Sequence, residues 1–280
     1  MKKPSKKSAH APAVVFIGGG RLTQAIVAGL TYDPANARKK HRAKFRLIVH
    51  DRHPEKLRAL GRLGAKPESN LQRAVDAADI LLIAVRPDAV TGLLAGLNLG
   101  KRSPLAVSLA AGIPLERLRE ELSAPVKWAR AMPSPACRTG EGLTALAFDA
   151  ALAPSDRKKI RALFAALGRV VEIPEESFDV FTVTYSPIHG YHALAALIAA
   201  ATHLGLDPTA ASTAAAHALA DSIAALRASR TSVDTALKEA ATPGGISVAI
   251  ATSEAESGYN EIIERAMQAG IDRAKSMAKS

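Results

Sequence analysis

A chain of 280 residues, with 48% hydrophobic and 22% charged residues, can build two soluble domains that each bury a core. Its formal charge of +11 would suit a nucleic-acid binder, but part of the excess lies in Lys2, Lys3, Lys6 and Lys7. The rest is scattered without an aromatic-interleaved stripe, which excludes a nucleic-acid module and favours an anionic small ligand. A single cysteine, Cys137, excludes an internal disulfide framework and places the chain in a reducing cytoplasm, and no apolar stretch is long enough to span a bilayer.

Residues 1–12 read as a disordered basic tail. The apolar run Ala13-Val14-Val15-Phe16-Ile17 then breaks into Gly18-Gly19-Gly20 and a helix. A strand, a glycine turn and a helix form the phosphate-binding start of a dinucleotide domain, because residues without Cβ let the backbone approach a pyrophosphate and the helix end attracts it. Thr23 stands where the third small residue of that pattern belongs, so the match is imperfect, and a tight turn that binds nothing is the bland alternative. Tyr32 to Lys44 reads as a polar surface loop. Phe45 to His50 is a second strand, ending in Asp51-Arg52 before a helix over Pro54 to Leu63. An acid at this strand end would bond the ribose of NAD, whereas an arginine would pair with the 2′-phosphate of NADP. With Arg52 and Arg21 both available, NADP is expected, with NAD as the alternative and a solvated arginine as the bland reading.

Further strands are expected at Ala78 to Val85, Leu105 to Leu109, Val126 to Ala131, Leu143 to Ala147 and Val170-Val171, with helices from Pro114 and over Pro154 to Leu167. Continuous apolar strands alternating with helices describe a doubly wound parallel sheet, here over residues 13–174. After Pro174 strands stop, and alanine-rich helices are expected over His189 to Leu204 and Pro208 to Arg227. Residues 175–280 therefore read as an all-helical domain suited to forming a homodimer or a higher homo-oligomer.

Several separated stretches, in order and spacing, resemble the Δ1-pyrroline-5-carboxylate reductases. They are Ile17-Gly18-Gly19-Gly20, Ala84-Val85-Arg86-Pro87, Ser108-Leu109-Ala110-Ala111-Gly112-Ile113, Ala131-Met132-Pro133, Gly140 to Leu146, and Thr242-Pro243-Gly244-Gly245. The resemblance implies a Rossmann domain for NAD(P)H, a helical dimerisation domain, and reduction of pyrroline-5-carboxylate to L-proline. It implies that Ile17, Gly18, Gly19, Gly20, Arg21 and Leu22 hold the pyrophosphate. Ala84, Val85, Arg86 and Pro87 would line the nicotinamide side, and Ala110, Ala111 and Gly112 would lie by the ribose and nicotinamide. Pro243, Gly244, Gly245, Ile246 and Ser247 would form the substrate loop, with the Ser247 hydroxyl bonding the imine nitrogen. The bland reading of Ser247 is an N-terminal helix cap.

This sequence departs from the family at Arg21-Leu22, at Ser134-Pro135-Ala136, and at Val183 to His189, and the family's acidic helix positions fall at Ala195 and Ala199. His189 and His192 share one helix face and offer either an acid catalyst or carboxylate ligand, or two ordinary interface histidines. No third ligand accompanies them, so no metal is expected. Two alternatives stay open: a reductase of another imine or ketone, and a non-catalytic dinucleotide-binding paralogue.

Overall fold

The computed structural model describes residues 11–32, 45–99, 103–122 and 126–279, so most of the expected basic tail and of the 32–44 loop lies outside the described residues. The first part of the chain runs β1 (Ala13–Ile17), α1 (Arg21–Thr31), β2 (Arg46–His50), α2 (Pro54–Leu63), β3 (Lys66–Pro67), α3 (Leu71–Asp76), β4 (Ile80–Ile83), α4 (Val90–Ala95) and β5 (Leu105–Ser108). It continues through α5 (Leu115–Glu121), β6 (Lys127–Pro133), β7 (Gly142–Phe148), α6 (Pro154–Ala165) and β8 (Gly168–Glu172). The strands form one sheet in the order β3-β2-β1-β4-β5-β6-β7-β8. Strand order reverses between β1 and β4, which is where an open α/β sheet leaves a crevice beyond its carboxyl ends.

All five residues of β1 are buried, because helices cover both faces of the sheet. Its side chains alternate between two cores. Val14 and Phe16 join one with Leu82 and Val107, while Ala13, Val15 and Ile17 join the other with Leu81, Ile83 and Trp128. Unbroken apolar runs are therefore what a doubly covered strand requires, and β4 shows the same division.

The sheet departs from the all-parallel expectation at one pair: β7 runs antiparallel to β6. Only residues 134–141 join them, as a short 3-10 turn over Pro135–Thr139, and a parallel crossover needs about a dozen residues or more. The chain reverses directly, and β8 then pairs parallel with β7.

The remaining elements are helical: α7 (Phe178–Thr184), α8 (Ile188–His203), α9 (Pro208–Ser229), α10 (Val233–Ala240), α11 (Ile246–Glu256) and α12 (Tyr259–Lys279). Asp207 caps α9 by accepting the Thr209 and Ala210 amides, and Pro208 follows at the position where its missing N–H costs nothing. The chain divides into two compact units, one of residues up to Thr182 with the returning segment from Ile271, the other Val183–Gly270. In the second unit Ile188, Tyr191, Leu204, Ile223, Leu237 and Ile250 are exposed, and α9 buries only Ala211 and Ala215. Apolar surface of this extent on a single copy calls for a further surface to cover it. Among the described residues no helix is long and apolar enough to cross a membrane.

Because Phe16 is fully buried at the centre of the sheet, Phe16→Ala is expected to cost about 3–5 kcal/mol in chemical denaturation. A loss under about 1 kcal/mol would contradict the doubly covered position of β1.

Candidate functional site

The glycine turn after β1 is fixed by sterics. Gly18 has φ +109°, and a Cβ built there would lie 2.4 Å from the Ala84 carbonyl oxygen at the end of β4. No residue but glycine fits this close approach. The Gly18 amide donates to the His50 carbonyl at 2.9 Å, tying the turn to the end of β2. Thr23, the imperfect member of the sequence pattern, is fully buried and its hydroxyl donates to the Gly18 carbonyl at 2.6 Å. The threonine thus clamps the turn that a small residue would merely allow.

Asp51 completes the clamp. Its Oδ2 accepts the Gly19 amide at 2.7 Å, its Oδ1 accepts the His53 amide at 2.8 Å, and Lys56 Nζ lies 3.5 Å away. Burial alone would push this carboxyl up, but the Gly19 and His53 amides together with the Lys56 charge outweigh it and hold it below the usual carboxylate range. A depressed folded-state value means that the stability Asp51 contributes is present above the unfolded value, near 4, and is lost as pH falls through the folded one.

The open part of the turn begins at Gly20. A Cβ there would meet nothing within 4 Å, and α1 starts immediately after it with no acidic residue in its first turn and no side-chain cap. The amides of Gly20, Arg21 and Leu22 stand at this helix end, where the helix itself supplies no acceptor. A cavity of about 760 Å³ opens over them, lined by Ile17, Gly18, Gly19, Gly20, Arg52, Ala84, Val85 and Arg86 of the expected residues. It is also lined by His50, Asp51, His53, Lys56, Ala89, Gly92 and Leu93. Of these, Lys56 had a sequence signal that went unused, a cation in the first turn of the helix after Asp51. Arg52 is exposed, whereas the exposed Arg86 forms an ion pair with Asp88 at 2.9 Å.

Arg21, Leu22, Pro87 and the Ala110–Gly112 turn lie outside this lining. Leu22 packs against the first core, and Ala110 belongs to the second. Gly112 has φ +71° and closes against Ala274. Cys137 is buried and its thiol is pushed up to about 11, chiefly by desolvation, so it is an inert packing residue.

A second cavity of similar size, about 760 Å³, lies at the amino ends of the strands beside Asp79, Lys127, Asp156 and Lys159. Its charges are mutually satisfied, with Asp156 accepting from both lysines at 2.9 Å and Asp79 accepting the Ala13 amide at 2.8 Å. The carboxyl-end cavity, with an unsatisfied helix end, is the better ligand site.

In the helical unit, Gly244 has φ +75° and the Gly245 amide donates to the Thr242 carbonyl at 2.9 Å, making a tight turn into α11. Gly245, not Ser247, occupies the cap position, so the capping alternative for Ser247 is set aside. The Gly245 amide is engaged within the turn and Pro243 has none, so the donors at this helix end include those of Ile246 and Ser247, in the first turn of α11. Ser247 is exposed. His189, on α8, bonds through Nε2 to the Val183 carbonyl at 2.9 Å and so ties the start of α8 to α7. No hydrogen bond joins His189 to Ser247, and among the described residues no group of three or more His, Cys, Asp or Glu side chains could hold a metal.

Residues 13–112 match the family described as NADP oxidoreductase coenzyme F420-dependent, and residues 175–277 match the family described as pyrroline-5-carboxylate reductase dimerisation. A pyrroline-5-carboxylate reductase of Synechocystis sp. is 27% identical over 269 residues, covering 94% of this chain and 97% of that relative. Among solved structures, 1-pyrroline-5-carboxylate reductase from Streptococcus pyogenes superposes with TM-score 0.83 at 24% identity, covering 95% of this chain and 98% of the other. Plasmodium falciparum pyrroline carboxylate reductase with NADP bound gives TM-score 0.79 at 21% identity, again covering 95% and 98%.

Two glycines of the turn are expected to separate on substitution. Gly18→Ala should lower thermal stability, because its Cβ strikes the β4 backbone, while Gly20→Val should fold normally and weaken NADPH binding by filling the open approach. Thermal melting and NADPH titration of both variants check this; unchanged NADPH affinity in Gly20→Val contradicts the assigned approach.

Proposed function

We propose that this chain, a divergent member of the pyrroline-5-carboxylate reductase family, reduces a cyclic imine at the expense of NADPH, with pyrroline-5-carboxylate as substrate and L-proline as product. The observation that carries the cofactor half is the uncapped, acid-free start of α1 beneath the open face of Gly20. A backbone cradle of this kind fits a pyrophosphate, and the cavity has the size of a cofactor pocket.

The choice of NADP over NAD rests on the division of labour between neighbours. Asp51 is 8% exposed at its side chain and already accepts two backbone amides, so it is spent on the turn and not offered to a ribose hydroxyl. Arg52 points its charge to solvent at the cavity wall and can pair with a 2′-phosphate. Arg21, at the first position of α1, is also exposed, though it lies outside the cavity lining.

When bound, the reduced nicotinamide supplies the hydride to the imine carbon. The chain's own task is to hold the imine and complete its protonation at nitrogen. The open amides of Ile246 and Ser247 at the start of α11 suit the substrate carboxylate, and the Ser247 hydroxyl suits the imine nitrogen. With its ring nitrogen engaged by Val183, His189 is better read as holding the α7–α8 junction than as an acid catalyst. Homo-oligomerisation follows from the dimerisation match over 175–277, and we assign the exposed apolar residues of α8 to α11 to that assembly. A reducing cytoplasm suits the single buried cysteine.

A steady-state assay with pyrroline-5-carboxylate and each nicotinamide tests the reading. NADPH oxidation is expected, and NADPH binding without turnover would remove the substrate assignment and send the search to a panel of other cyclic imines. Arg52→Ala should raise the KM for NADPH about tenfold or more while leaving that for NADH unchanged, through loss of a charge-assisted phosphate contact. Ser247→Ala should lower kcat by about tenfold or more with NADPH affinity intact; normal turnover would sink the role given to its hydroxyl.

A further inference from the structure

The Ala110–Gly112 turn follows β5, on the side of β1 away from β2. A dinucleotide with its pyrophosphate at the β1 turn and its adenosine over the end of β2 extends its nicotinamide toward the ends of β4 and β5. The turn and the start of α5 that follows it are held by one local contact and two from distant parts of the first unit. From β5, the Ser108 hydroxyl oxygen accepts the Ala110 amide at 3.3 Å. At Gly112 a Cβ would lie 2.6 Å from the Ala274 carbonyl oxygen, so the end of α12 presses directly on the turn. Three residues on, the Leu115 amide at the start of α5 donates to Glu175 Oε1 at 2.9 Å.

Glu175 does not stand alone. The same Oε1 accepts Arg130 Nη1 at 2.9 Å, and Arg130 is 2% exposed on β6, directly opposite Ser108 in the β5–β6 register. The guanidinium also donates to Asp179 at 3.2 Å and lies 4.0 Å from the centre of the Phe178 ring. Arg130 Nε and Glu175 Oε2 are buried without partners among the described residues. An ion cluster of one buried arginine and two partly exposed carboxylates, with polar atoms left unpaired, adds little stability over an apolar cluster of the same volume. Its effect is directional: it holds one carboxylate oxygen against the Leu115 amide.

We propose that Glu175, anchored by Arg130, is a positioning residue that sets the Ala110–Gly112 turn for the nicotinamide half of the cofactor. The inference rests on the reductase reading, and binding measurements separate the two. NADPH and 2′,5′-ADP, which lacks the nicotinamide half, are titrated into the full chain and its variants. Glu175→Ala is expected to weaken NADPH about tenfold and 2′,5′-ADP by less than about twofold, through loss of one charge-assisted hydrogen bond. Glu175→Asp keeps the charge for Arg130 but falls one methylene short of the amide, and should show the same selective loss if the alanine variant folds poorly. Glu175→Gln keeps the carbonyl acceptor and should restore NADPH affinity. Asp179→Asn removes charge from the same cluster without touching Leu115, and should bind both ligands as the unsubstituted chain does.

Equal loss for both ligands, no loss in Glu175→Ala, no rescue by Glu175→Gln, or the same selective loss in Asp179→Asn would each overturn the assignment. An unsubstituted chain that fails to bind NADPH would overturn the reductase reading and this inference with it.

Discussion

The approach of Gly18 to the Ala84 carbonyl is the constraint from which the site follows. Because β4 returns beside β1, its carboxyl end lies directly against the turn that leaves β1, and only a residue without Cβ can pass beneath it. That forces the left-handed backbone at Gly18, which aims the next residues away from the sheet and starts α1 at Arg21. The turn is then held by three bonds from three directions, to the His50 carbonyl, the Thr23 hydroxyl and the Asp51 carboxylate. With Gly18 and Gly19 committed to internal bonds, the donors that remain free are those of the helix end itself.

This commitment shapes the electrostatics. Asp51 is a negative charge beside a site meant for an anion, which would be unfavourable if it faced the ligand. The Gly19 and His53 amides and Lys56 satisfy it instead, and the same bonds that hold its pKa down fix the turn. The outward charges at the cavity are then those of Arg52 and of Arg86, and Asp88 already offsets the latter. Among the described residues, Arg52 is the arginine of the cavity lining for which no ion pair is seen, so the positive charge offered there is local and not a diffuse basic surface.

The sequence made the sheet legible because burial on both faces leaves an unmistakable apolar run, as at Ala13–Ile17 and Ile80–Ile83. The glycine turn was legible for the same kind of reason, since few backbones need three glycines in a row. Strand direction at β7 was not: an apolar strand looks alike in either sense, and only the length of the link over 134–141 decides it. Nor could residue types alone tell that Asp51 turns inward, that Thr23 clamps the turn, or that Gly245 takes the cap position ahead of Ser247. Each depends on a partner brought from elsewhere in the fold or on one backbone angle. The long-range contacts of Arg130 left no periodic signal at all, since a lone arginine in an apolar strand reads as an edge residue until Glu175 and Asp179 are placed beside it.

Those long-range contacts also bear on how the turn after β5 is fixed within the first unit. The first unit is left at Thr182 and re-entered at Ile271: before the exit Glu175 holds the Leu115 amide, three residues beyond the turn after β5, and after the return Ala274 packs against Gly112 in the turn itself. A turn held from both sides by the outgoing and returning chain cannot shift without moving one of them. The β1 turn, by contrast, is held by its immediate neighbours, the His50 carbonyl, the Asp51 carboxylate and the Thr23 hydroxyl. Two turns at the carboxyl end of one sheet are thus held in different ways, one by the elements beside it and the other by segments brought from far along the chain of the first unit.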